Sequence, residues 1–206
     1  YIISDTGANI YDLDKKETIY KKTISKNIAS HILDLYNENF RYIDICSNGK
    51  YYTYSLFLEE DSAGVKTYKN KNNLLDDIGE INHIAMDFKN NDCTIEMYNF
   101  LTFNYNDFEI FIMQDSFENS KTIEILPKGV SKYNSINELA NYLNISNNEI
   151  MAFGDGLNDV EMIEKCGIGV AMANALNEVK EKANYVTRKS NEELGVIDFL
   201  EDYLNN

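Results

Sequence analysis

Apolar residues fall along this chain in short alternations and short runs, and the rhythm changes partway. Up to about residue 24 the pattern is that of strands. Tyr1-Ile2-Ile3 runs into the turn signal Asp5-Thr6-Gly7-Ala8, Asn9-Ile10-Tyr11 follows, a polar turn spans 12–16, and Thr18-Ile19-Tyr20 returns as the second arm of a hairpin. Ser25 is placed to cap a helix with Ile28, Ile32, Leu33 and Leu35 on one face. Strands are predicted at 42–46 and 51–54, joined by the tight turn Ser47-Asn48-Gly49-Lys50. Residues 59–73 are polar and loop-like, 74–78 suit a short helix, and 84–88, 108–112 and 122–126 are further strands. The mixture is of the α+β kind.

After Pro127 short apolar strands alternate with helices. Ile136, Leu139, Ala140 and Leu143 form a helix face, and Ile150-Met151-Ala152-Phe153 is a fully apolar strand. Val160, Met162 and Ile163 lie on a helix ended by Gly167, and Ile168-Gly169-Val170-Ala171 is another buried strand. Val179 and Ala183 mark a helix before the strand Tyr185-Val186-Thr187, and 194–204 is a terminal helix. This order predicts a parallel sheet covered on both faces. Pro127, the one proline of the chain, marks the junction.

Composition narrows the function. The 206 residues carry a formal net charge of −15, which argues against a nucleic-acid partner because phosphate backbones reward clustered Lys and Arg. Small phosphorylated ligands remain open, since they need only a local cation or a metal. No apolar run approaches a membrane span, and no basic-plus-apolar leader precedes the first strand. Cys46, Cys93 and Cys166 are far apart and form no CxxC, so they read as buried thiols in a reducing cytoplasm, neither staples nor zinc ligands. Tyr1 opens directly in an apolar strand, which leads us to expect that the chain starts inside a domain.

Two segments offer chemistry. Phe153-Gly154-Asp155-Gly156-Leu157-Asn158-Asp159 follows an apolar strand and precedes a helix, at the strand end where open α/β sheets bind ligands. Its glycines permit close backbone approach, and its crowded oxygens suit Mg²⁺. Taken alone it reads equally well as a helix N-cap. Pro127-Lys128-Gly129-Val130-Ser131-Lys132 stands just before the first helix of the α/β half, where a lysine can hold a phosphoryl group as a point charge. Alone, it reads as a solvated lysine.

Together these segments resemble the haloacid dehalogenase (HAD) superfamily, nearest to its Cof-type phosphatases of subclass IIB with a C2B cap. The resemblance runs through 124–132, 151–159, Gly169-Val170-Ala171-Met172-Ala173-Asn174-Ala175, Val179-Lys180, Tyr185-Val186-Thr187 and Gly195-Val196, and Ile3 to Asp12 is similar to the family's Ser-x-Asn-Gly-Ala-x-Ile-Tyr-Asp hairpin. It implies an α/β Rossmann-like core, 1–24 and 122–206, with an inserted α+β cap over 25–121. It further implies a cytoplasmic Mg²⁺-dependent hydrolase of small phosphorylated metabolites, sugar phosphates or nucleotide-like, acting through an aspartyl-phosphate. By position, Lys132 and Asp155 are the implied catalytic residues, and Lys132 and Asn158 the phosphate contacts. Asp155, the carbonyl of Gly156 and Asp159 are the implied metal-site groups, with Asp159 either holding metal-bound water or orienting Lys132. Asn174 is a further candidate at the same sheet end.

Three departures stand out. Tyr133 occupies a usual glycine position and is expected to bear on the helix start, and Thr6 stands where the family has Asn. The family's nucleophile motif, Asp-x-Asp-Gly-Thr, has no counterpart: Asp12-Leu13-Asp14 is followed by Lys15-Lys16 and falls in a hairpin turn. We therefore expect several dozen N-terminal residues, with the nucleophile, to be missing from this chain, which alone would be inactive. The rival from another class is a non-catalytic, truncated or degenerate member that binds a ligand or partner through its cap. Asp5-Thr6-Gly7-Ala8 also reads as an aspartic-protease motif, which the α/β half does not accommodate. The 154–159 loop also resembles a P-type pump hinge, which needs membrane helices. Tyr51, Tyr52 and Tyr54 read as strand packing, and His31 and His83 as structural or surface residues without a metal-spaced partner.

Overall fold

The computed structural model describes residues 1–58, 65–114 and 121–205. The chain divides into two compact units, Tyr1–Val130 and Ser131–Asn206.

In the first unit β1 (Ile2–Ser4), β2 (Asn9–Asp12) and β3 (Glu17–Lys21) form a small antiparallel sheet. Asp12 closes the β2–β3 turn by accepting the amides of Asp14 and Lys15, both at 3.0 Å. The Lys15 amide is the main reason its carboxyl lies below the ordinary range. It is thus a turn-maker, in keeping with its sequence context. There follow α1 (Lys26–Leu33), β4 (Phe40–Ser47), β5 (Lys50–Tyr54), β6 (Lys66–Tyr68), α2 (Lys71–Asp77), β7 (Ile81–Phe88), α3 (Asn91–Asn104), β8 (Phe108–Gln114) and β9 (Lys121–Pro127). The expected loop at 59–73 is described from residue 65, where it forms β6 and the start of α2; 59–64 lie outside the described residues.

The six strands run in the order β6-β5-β4-β7-β9-β8, with β5–β6 parallel and the other pairs antiparallel. Alternation sorts the sheet into two faces. Ile43, Ile45, Ile84, Met86, Phe88, Ile123 and Ile125 pack with Ile32 and Leu33 of α1, Leu74 of α2 and Leu101 of α3 in one apolar cluster. The residues between them, among them Asp44, Cys46, His83, Asp87 and Glu124, point to the other face. Tyr52 and Tyr54 join the apolar side and meet Tyr68 and Tyr36, while Tyr51 sits edge-on to His83. Helix α1 starts where expected, with Ser25 Oγ accepting the Ile28 amide.

The sequence expectation divides the chain at 24/25 and 121/122; in the structure β9 lies between β7 and β8 in the six-stranded sheet, and the compact units run 1–130 and 131–206. Helix α3 went unrecognised because its apolar residues are spread around the axis: Leu101 is buried while Ile95, Phe100 and Phe103 are exposed.

The second unit is α4 (Lys132–Leu143), β10 (Met151–Gly154), α5 (Val160–Lys165), β11 (Ile168–Ala171), α6 (Asn177–Lys180), β12 (Tyr185–Val186) and α7 (Gly195–Asn205). The three strands are parallel in the order β10-β11-β12, as the short apolar runs predict. Helix α6 is a single turn and stops short of Ala183. Among the described residues no helix is long and apolar enough to cross a membrane.

Helix α5 lies so close to β11 that a Cβ on buried Gly169 would meet the carbonyl oxygen of Ile163 at 1.9 Å. Backbone cannot rotate away as a side chain can. Gly169→Ala is therefore expected to destabilise this unit by about 3 kcal/mol, at the upper end for overpacking. The midpoint of urea unfolding reads the loss, and an unchanged midpoint would show that α5 slides freely over the sheet.

Candidate active site

Strand β10 ends at Gly154, and the turn into α5 begins there. A Cβ on Gly154 would lie 2.4 Å from Asp159 Cβ, so the glycine is what lets this aspartate fold back over the strand end. Asp159 is 3% exposed. Its Oδ2 accepts the amides of Asp155 at 2.9 Å and Gly156 at 3.1 Å, and its Oδ1 accepts from Lys132 Nζ at 2.5 Å. Two amides and an ammonium meet one buried carboxylate, the combination that makes such a charge tolerable.

Lys132 is the first residue of α4. Ser131 caps that helix by accepting the Asn134 amide at 3.1 Å. Tyr133 is the second residue of α4. The ring packs into the apolar cluster of this unit, with Lys165 Nζ 5.1 Å from its centroid.

Asp155 is half-buried. Its Oδ2 accepts from Asn174 Nδ2 at 3.1 Å, and Asn174 Oδ1 accepts the Asn191 amide at 3.0 Å. The Asp155 carbonyl accepts the Leu176 amide at 3.3 Å, and Thr187 Oγ1 accepts the Ala173 amide at 2.8 Å, which braces the neighbouring loop. Asn158 lies in the same turn, with its Oδ1 2.9 Å from where a Gly156 Cβ would stand. The Gly156 carbonyl accepts the Asp159 amide at 3.0 Å.

Lys132, Asp155 and Asp159 line one cavity of about 490 Å³ with Phe153, Met162, Met172 and Asn191. Of the residues singled out in the sequence, Lys132, Asp155, Gly156, Asp159 and Asn174 are thus tied directly into one network, and Asn158 shares their turn. Asn191 also belongs to this cavity; it stands in a polar stretch of sequence, and the fold alone brings its amide to Asn174. Thr6, the other departure, donates to Glu124 Oε2 at 3.3 Å within the first unit.

The groups at this strand end are carboxylate, amide and carbonyl oxygens with one ammonium, and no thiol or imidazole among them. That set fits a hard cation such as Mg²⁺, which takes one or two carboxylates and keeps several waters. With both oxygens of Asp159 engaged, Asp155 is the carboxylate open to such a cation.

The family model for haloacid dehalogenase-like hydrolases matches residues 1–200. This chain belongs to that family. A Buchnera aphidicola relative is 30% identical over 220 residues, spanning 100% of this chain and 75% of its own length. The Bacillus subtilis protein YitU, named a 5-amino-6-(5-phospho-D-ribitylamino)uracil phosphatase, is 42% identical over 83 residues, 40% of this chain and 30% of that protein. A solved HAD subclass IIB sugar phosphatase superposes with a TM-score of 0.71 over 98% of this chain and 74% of that one, at 22% identity. Other curated relatives are matched over only 26–30% of their length. The HAD fold reading, an α/β Rossmann-like core of the Cof type, stands on these matches.

Proposed function

We propose that the protein carrying this HAD chain is a Mg²⁺-dependent phosphatase of small phosphorylated metabolites, sugar phosphates or nucleotide-like compounds, acting through an aspartyl-phosphate. The observation that carries this reading is the Lys132–Asp159 pair beside Asp155 on one cavity. The names of the B. subtilis and subclass IIB relatives support the substrate class.

In this reading Asp155 holds the cation, with the Gly156 carbonyl beside it. When bound, Mg²⁺ neutralises charge on the phosphoryl oxygens. Lys132 meets the same oxygens from the helix side, Asn158 donates to them, and Asp159 keeps Lys132 in place. Preorganised positive charge of this kind is the main lever in phosphoryl transfer. Asp12 is not the nucleophile in this reading, because it is bound into a hairpin turn.

The test is hydrolysis of an aryl phosphate and a panel of phosphorylated metabolites by the complete gene product. Turnover that requires Mg²⁺, stops with chelator and falls at least about a hundredfold in Asp155→Asn is expected. No turnover of any of them with Mg²⁺ present would establish the non-catalytic binding protein instead.

A further inference from the structure

The polar face of the six-stranded sheet carries a group of side chains to which the proposed phosphatase reading gives no role. Cys46 on β4 and His83 on β7 are opposed in the antiparallel register, and alternation puts both on the side away from the apolar cluster. The turn after β1 brings Asp5 to them. Cys46 Sγ donates to Asp5 Oδ1 at 3.0 Å, and one ligand atom from each of Asp5, Cys46 and His83 lies within 4.8 Å of the others. Cys46 is fully buried and His83 is 4% exposed. His83 Nδ1 is buried with no hydrogen-bond partner among the described residues. A buried nitrogen left unmet is costly, and a bound cation is one way to meet it.

We propose that Asp5, Cys46 and His83 form a site for a thiophilic divalent cation, Zn²⁺ foremost, with a fourth position open to water or a ligand. The donors select the metal: thiolate and imidazole suit Zn²⁺ and its congeners, whereas Mg²⁺ takes oxygen. One thiolate and one carboxylate balance the dication, so the loaded cluster is neutral where it is buried. Ligand atoms about 2.0–2.3 Å from a tetrahedral ion stand about 3.3–3.8 Å from each other, so side-chain adjustment suffices for loading. Ser4 Oγ donates to Asp5 Oδ2 at 3.3 Å and Asn9 Nδ2 to Ser4 Oγ at 3.1 Å, which orients the carboxylate.

Without metal the thiol is protonated: burial, then the Asp5 carboxylate, push Cys46 up to about 12. The group is therefore no Cys–His nucleophile, which needs a thiolate near neutral pH. On loading, the S–H bond breaks, sulfur bonds to the ion and the proton leaves to solvent.

The deciding experiment titrates chelator-treated protein with Co²⁺ and Zn²⁺. One equivalent of Co²⁺ is expected to give a thiolate-to-cobalt charge-transfer band that Zn²⁺ removes and excess Mg²⁺ does not. Cys46→Ser should abolish the band and Cys93→Ser leave it. Residues that merely orient a ligand cost roughly 10–100-fold, so His83→Gln should weaken Zn²⁺ binding at least about tenfold. Absence of the band in the unaltered protein overturns the site, whether or not the variants fold. A band that survives Cys46→Ser, or Zn²⁺ affinity unchanged in His83→Gln, overturns it as well.

Discussion

Lys132→Ala is expected to lower kcat toward an aryl phosphate by about 10²–10³-fold in the complete gene product, the range for losing one donor aimed at developing charge. The same substitution has a structural cost that must be separated from the catalytic one. The Lys132 side chain is 35% exposed and that of Asp159 5%, so removing the ammonium leaves a buried carboxylate with two amides as its remaining described donors. Breaking a fully buried pair costs about 3–5 kcal/mol, but partial solvent screening of the lysine reduces this to about 1–2 kcal/mol. Lys132→Arg tells the two apart. It restores a charge beside Asp159 and should recover the melting temperature, while its planar fork does not reproduce the ammonium's point charge. In Lys132→Arg kcat should stay at least about tenfold down. A Lys132→Ala enzyme with unchanged kcat would remove Lys132 from the site.

How legible each feature was depends on how local its cause is. The Gly154–Asp159 turn could be read because strand, glycines and carboxylates follow one another within nine residues, and both amides that the Asp159 carboxylate accepts lie inside the turn. Strands β4, β7 and β9 announced themselves by alternation that matches their two faces. Helix α3 did not, because its apolar residues are spread around the axis and no face stands out, although Asn90 Oδ1 caps it by accepting the Cys93 amide. The boundary at 130/131 was invisible for a different reason: nothing in 122–126 tells a strand of one sheet from a strand of the next. Cys46 and His83 likewise look solitary, since they stand 37 positions apart in the sequence and only the β4–β7 pairing brings them together.

The same local logic makes Gly154→Ala the sharpest test of how the site is held. The new Cβ would stand 2.4 Å from Asp159 Cβ, 2.7 Å from its Cγ and 2.8 Å from its Oδ2. Gly154 does not have a left-handed backbone, so the objection is purely one of space. Asp159 Cβ is fixed to its own backbone, and the turn must open, taking the carboxylate away from the amides of Asp155 and Gly156 or from Lys132. A displacement near 1 Å costs on the order of a hundredfold in rate, although no reacting group has been altered. Stability should fall by about 1–3 kcal/mol. Gly156→Ala is the control, because its Cβ would meet Asn158 Oδ1 at 2.9 Å, the far end of a side chain that can turn aside. It should cost less than Gly154→Ala, and its loss in rate reads the displaced Asn158 contact alone, with Asp159 left in place. Measured side by side as kcat and melting temperature, Gly154→Ala should be far the worse. The reverse order would mean that Asn158, and not the packing of Asp159 on the strand end, sets the shape of this loop.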